Sequence, residues 1–218
     1  MNAEKLACEL RKFYLGPNGI KAKLKSTSIT ALDEFLDNWD NVIEFNRRYY
    51  GTKIPKTVIC GINPGRNGAG KTGVPFLDFK SLSQLLPNLK KQDSERSAQF
   101  FFDIVEHFGP EKFYQSFYVT NISWLGFIKE NNNLNYFSLP DKTKKFIYEL
   151  FVREMSFVKP TTIIALSREV HTTLNELFGD GVNTKNILPH PNYCAFPTNY
   201  QKQKKRYIEV LEPFLKLN

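Results

Sequence analysis

The sequence predicts an α/β fold of three layers, with a central four-stranded parallel sheet between two layers of helices. Three observations predict it. Short apolar, β-branched segments recur at 57–62, 117–122, 161–166 and 186–188, as expected of strands buried on both faces. Helical patterns separate them, so neighbouring strands run parallel through crossovers. Asn63, Asn121 and His190 fall at or just beyond the C-terminal ends of three of these strands, the edge at which open parallel sheets bind ligands.

Taken in order, residues 1–15 form an amphipathic helix through Leu6, Leu10, Phe13 and Tyr14, ended by Gly16-Pro17-Asn18-Gly19. A second helix is predicted over 30–50 from the spacing of Leu32, Phe35, Leu36, Trp39, Val42, Ile43 and Phe45. The first strand, 57–62, leads into a Gly/Pro-rich loop over 63–76. Helices follow at 81–86 and 94–108, then the second strand. A polar stretch over 129–135 leads to a helix at 141–157. The third strand precedes a helix over 167–178. The short fourth strand ends at Pro189-His190-Pro191, and a helix over 201–217 closes the chain. There is no repeat, low-complexity tract or composition break, so the expectation is one domain over 1–218, with 1–50 as an N-terminal helical part.

Composition narrows the classes. Thirty Lys+Arg against 22 Asp+Glu give a formal charge of +8, which suits a polyanionic partner such as nucleic acid. The densest basic stretch, Lys202, Lys204, Lys205 and Arg206, reads either as phosphate contacts or as a solvated helix face. Three dispersed cysteines, Cys8, Cys60 and Cys194, with no CxxC, argue against a disulfide framework or zinc site. They also fall short of the four thiolates of an iron–sulfur cluster. No metal or cofactor is expected. The charged N-terminus does not read as a signal peptide, and no segment reads as membrane-spanning. The expected setting is a reducing cytosol, the expected state a monomer.

One motif invites a misreading. Gly65-Arg66-Asn67-Gly68-Ala69-Gly70-Lys71-Thr72 fits the phosphate-loop pattern G-x-x-x-x-G-K-[ST] and follows a strand. A phosphate loop must run straight into a helix whose first amides hold the phosphates. Here Gly73 and Pro75 oppose a helix at that point. The third strand ends Ala165-Leu166-Ser167, with no magnesium-binding Asp. The ATPase is therefore kept as the rival reading, beside a nucleic-acid-binding module without chemistry.

The run Gly61-Ile62-Asn63-Pro64-Gly65, continued by Thr72-Gly73-Val74-Pro75-Phe76, resembles the first motif of the single-strand-selective monofunctional uracil-DNA glycosylases. Tyr118-Val119-Thr120-Asn121 resembles the strand ending in that family's base-reading Asn, and His190-Pro191 the start of its second motif. The three occur in the family's order. The resemblance is to a divergent bacterial branch, since the second motif continues Asn192-Tyr193-Cys194-Ala195-Phe196-Pro197 where the family usually has Ser-Pro-Arg.

The resemblance implies a uracil-DNA-glycosylase-like fold and a monofunctional enzyme acting on uracil-containing DNA, single- or double-stranded. It assigns Asn63 to positioning the attacking water and His190 to a hydrogen bond on the uracil oxygen. Asn121 would read the base edge, Phe76 would stack on the base, and Gly61, Ile62 and Gly65 would line its pocket. Apart from the resemblance, Asn63 reads as a turn residue, Asn121 as a cap, His190 as a loop histidine and Phe76 as core. Tyr193 and Phe196 are candidate wedges or buried turn aromatics. Lys71 is a candidate phosphate contact or a solvated lysine. Ser123 and Ser167 are candidate minor contacts.

Overall fold

A computed structural model of the chain describes residues 2–215. Met1 and residues 216–218, which include the predicted ends of the first and last helices, lie outside the described residues. The chain opens with α1 (Ala3–Leu15), which begins where the Asn2 side chain accepts the Lys5 N–H at 2.9 Å. It continues through α2 (Ile20–Leu24), β1 (Ile29–Ala31) and α3 (Trp39–Phe45). Strand β2 (Thr57–Gly61) is followed by α4 (Ala69–Thr72), α5 (Phe79–Leu85), α6 (Arg96–Phe108) and α7 (Pro110–Ser116). Next come β3 (Phe117–Asn121), β4 (Phe127–Lys129), β5 (Asn132–Leu134) and α8 (Asp141–Val158). The chain finishes with β6 (Thr162–Leu166), α9 (Arg168–Phe178), β7 (Ile187–Leu188), α10 (Pro191–Cys194) and α11 (Pro197–Leu211).

The main sheet has the predicted four parallel strands, in the order β3-β2-β6-β7. Every residue of β3 and β6 is buried, as the continuous apolar runs require when helices cover both faces. Most strand and helix ends differ from the sequence expectation by a residue or two, but the last helix, predicted over 201–217, ends at Leu211 and gives way to a 3-10 turn over Glu212–Phe214. Ser167, expected inside a helix, is the cap of α9, its hydroxyl accepting the Val170 N–H at 3.3 Å. Helix α11 starts earlier than predicted, because Pro197 suits a first helical position. Helices α2, α4, α7 and α10 fall outside the helices the sequence predicts, α4 lying within the expected loop over 63–76.

Two expectations fail more substantially. Residues 30–50 do not form one helix. Thr30 pairs with Ile128 in β1, a 3-10 turn follows (Glu34–Asn38), then α3 and a π turn (Asn46–Tyr50). The helical apolar spacing is met from Phe35 onward, but the start of the segment is taken by β pairing. The polar stretch 129–135 is mostly strand. β4 and β5 form a two-residue hairpin whose turn residues, Glu130 and Asn131, both have positive φ, 50° and 62°. With β1 it makes a second, antiparallel sheet, β1-β4-β5.

Beneath the strand that ends in Asn121 lies a buried carboxyl. Tyr118 and Thr120 on β3 donate their hydroxyls to Glu154 Oε1 on α8 at 3.0 and 2.8 Å. Its Oε2 meets no partner among the described residues. Burial raises the Glu154 pKa from 4.5 to about 7, against the two hydroxyl bonds. The folded state thus holds a proton that the unfolded chain releases. This contribution to stability is full below pH 4.5 and is lost as pH rises through about 7. The total is about 3 kcal/mol. We expect Glu154→Gln to flatten the fall in stability between pH 5 and 8, measured by urea unfolding. An unchanged slope would disprove the assignment.

Candidate active site

Strand register brings the site together. Gly61 on β2 pairs with Asn121 on β3, and the pairing runs on through Ile122 N–H to Gly61 O (2.9 Å) and Ser123 N–H to Ile62 O (3.2 Å). The loop after β2 carries Asn63, and the loop after β7 carries His190. Asn63, Asn121, His190 and Phe76 line one cleft of about 530 Å³ at the carboxyl edge of the sheet, within the size range of small-molecule sites. Ile62, Gly65, Tyr193 and Phe196 line it too.

Each side chain is held by a different device. Thr72 Oγ1 donates to Leu77 O at 2.7 Å and accepts the Val74 N–H at 3.2 Å, folding the turn that presents Phe76. Gly73 ends α4 at φ +72°, where a Cβ would also lie 2.6 Å from Val42 Cγ2. Phe76 itself has φ +59°. One face of its ring stacks on Phe101 with centroids 4.7 Å apart and planes at 27°. Its edge comes so near Gly61 that a Cβ there would sit 2.2 Å from Phe76 Cζ and 2.5 Å from Asn121 Oδ1.

Asn63 is locked rather than loose. Its Oδ1 accepts the Tyr136 N–H at 2.9 Å, and its Nδ2 donates to Pro64 O and Leu134 O, both at 3.3 Å. One acceptor position on Oδ1 stays open. The β4–β5 hairpin, not legible in the sequence, supplies this anchor. Asn121 is 4% exposed, and its side-chain amide has no hydrogen bond among the described residues. The amide is open to the cleft, with its donor and acceptor unused inside the protein.

His190 caps α10. Its Nδ1 accepts the Asn192 N–H at 3.1 Å, which assigns the ring proton to Nε2. Burial pushes its pKa down to about 4, with Glu169 pulling weakly the other way. The ring is therefore a neutral donor at physiological pH.

The phosphate-loop pattern does not make a phosphate site. Residues 69–72 form one helical turn that stops at Gly73. The Gly68 and Gly70 N–H groups donate to Gly65 O, and those of Lys71 and Thr72 to Gly68 O, so these amides are spent within the loop. Lys71 pairs with Asp93 at 3.5 Å instead of lining the cleft. The basic stretch of α11 is also largely engaged. Lys204 meets Asp103 at 3.5 Å, Lys205 meets Glu209 at 3.8 Å, and Arg206 donates to Ile187 O at 3.2 Å. Lys202 is exposed and has no partner among the described residues. Ser123 is buried and donates to Leu125 O at 2.8 Å, a turn role. Tyr193 and Phe196 are 52% and 44% exposed at the cleft mouth, so neither is a buried turn aromatic. Glu95, at the start of α6, lines the cleft, and the neighbouring Arg96 meets the cleft-lining Phe196; both were missed, because only the fold brings α6 there.

Two side-chain amides, an aromatic ring and a neutral imidazole thus stand together at the carboxyl edge of a parallel α/β sheet. The chain belongs to the uracil DNA glycosylase superfamily, whose family model matches residues 49–214. Its fold is similar to the crystal structure of wild-type SMUG2 from Pedobacter heparinus, with a TM-score of 0.75 and 25% sequence identity over 95% of this chain and 97% of that one. No curated protein matches the chain.

Proposed function

We propose that the protein is a monofunctional DNA glycosylase that hydrolyses the N-glycosidic bond of uracil in DNA, the opening step of base excision repair. The observation that carries this reading is the unpartnered Asn121 amide beside Gly61, flanked by the Phe76 ring and facing the same cleft as neutral His190. Uracil presents N3–H beside O4, matching one amide acceptor and one amide donor; cytosine presents a bare N3 beside an amine. Unpaired polar groups at such a contact discriminate strongly. The base must leave the stack to reach the cleft, at a cost of a few kcal/mol, least in single strands or mismatches.

In this reading the C1′–N1 bond breaks with both electrons passing to uracil. His190 Nε2–H stabilises the charge growing on the base oxygen. The sugar becomes oxocarbenium-like, and water adds to C1′ and loses its proton to solvent. Asn63 has one free acceptor position, enough to hold one water hydrogen and aim the oxygen. An amide is too weak a base to do more.

The test is incubation with uracil-containing and control oligonucleotides, followed by alkali. Strand breaks confined to uracil are expected; their absence would refute the reading. Asn63→Ala is expected to lower the single-turnover rate by roughly 10²-fold, since it removes positioning and not binding. Equal losses in rate and DNA affinity would contradict that role.

A further inference from the structure

Arg96 opens α6 between the cleft-lining Glu95 and Ser97, and its guanidinium lies 5.3 Å from the centroid of the cleft-lining Phe196 ring. Phe196 and Tyr193 are two of the few large apolar side chains left exposed, and both line the cleft. Three other cations of the neighbouring segments are committed elsewhere, Lys71 to Asp93, Lys204 to Asp103 and Arg66 to Asn131 O. Arg96 is exposed and makes no hydrogen bond or ion pair among the described residues. A guanidinium placed over an aromatic ring, with no hydrogen-bond or ion-pair partner, keeps its N–H donors free to grip a phosphate. The adjacent Glu95 carboxylate does not cancel this charge by pairing with it. It lies over Gly65 and Gly68 and accepts the Ser97 hydroxyl at 2.6 Å.

We infer that Arg96, braced on Phe196, is a backbone-phosphate contact for the DNA strand that delivers the target nucleotide, with Tyr193 and Phe196 offering their faces to neighbouring bases. Only the identity of that nucleotide rests on the glycosylase reading. The exposed aromatic pair fits a strand with unstacked bases, and the free cation fits its backbone. This contact comes from α6, remote in sequence from the α10–α11 segment that carries the two aromatics.

The test measures binding of the whole protein to a single-stranded oligonucleotide carrying a tetrahydrofuran abasic analogue, with salt varied between about 50 and 200 mM. Arg96→Gln should weaken binding about fivefold near 0.1 M salt and reduce the slope of log affinity against log salt by about 0.7. Arg96→Lys should keep most of the slope. Lys56→Gln, an exposed charge at the opposite edge of the sheet, should leave the slope at its wild-type value. A wild-type slope in Arg96→Gln, or an equal drop in Lys56→Gln, would overturn the inference. Uracil release is scored separately with the unaltered protein. Its absence alongside the Arg96 effect would refute the glycosylase reading and leave this contact standing.

Discussion

Replacing His190 by alanine is expected to lower kcat for uracil release by about 10²–10³-fold, while KM for DNA changes little. The reason is that a donor aimed at a developing anion acts in the transition state and hardly at all in the ground state. The pH dependence should be equally diagnostic. With its pKa held at about 4 by burial, the imidazole stays neutral from pH 8 down to about 5, so kcat should be flat there on the acid side. As pH falls through about 4, protonation of Nδ1 breaks its bond with the Asn192 N–H and displaces the ring, and the rate should fall. Single-turnover kinetics across this range would check it. An acid limb near 6.5, the ordinary histidine value, would show that the ring is not held as described.

Gly61→Ala is expected to abolish most excision, by roughly 10²-fold or more, without unfolding the chain. The added methyl would lie 2.2 Å from Phe76 Cζ and 2.5 Å from Asn121 Oδ1. Neither can retreat easily. Phe76 is backed by Phe101, and Asn121 is fixed by strand pairing to Gly61 itself. The pocket for the base must therefore distort. Overpacking of this kind typically costs about 1–3 kcal/mol. That corresponds to about 2–4 °C in Tm per kcal/mol for a chain of this size. Thermal unfolding and the single-turnover rate, measured together, separate the pocket from the fold. A near-wild-type rate would mean that Phe76 and Asn121, which the added methyl displaces, do not border the reacting base.

The two predictions differ in how legible their origins were. His190 could be singled out in the sequence, because it alone of three histidines follows a predicted strand. The effect of Gly61→Ala could not be anticipated, since the clash depends on the approach of a ring fifteen positions away.

What the sequence determined by itself was the four-stranded parallel sheet, its strand ends and the failure of the phosphate loop. Apolar β-branched runs, helical spacing, and Gly73 with Pro75 act through neighbours in the chain, so their consequences can be read locally. The placement of Asn63, Asn121 and His190 at one edge followed from parallel topology. What only the tertiary structure decided was which partners each residue meets. Thr30 entered a sheet rather than a helix because Ile128 was there to pair with it. Leu134 and Tyr136 locked Asn63, Lys204 and Lys205 of α11 found acids, and Arg96 reached Phe196. Contacts between distant segments leave no periodicity in either segment. They are set by packing and pairing once the chain has closed, and they are what turns a strand-end amide or imidazole into a positioned group.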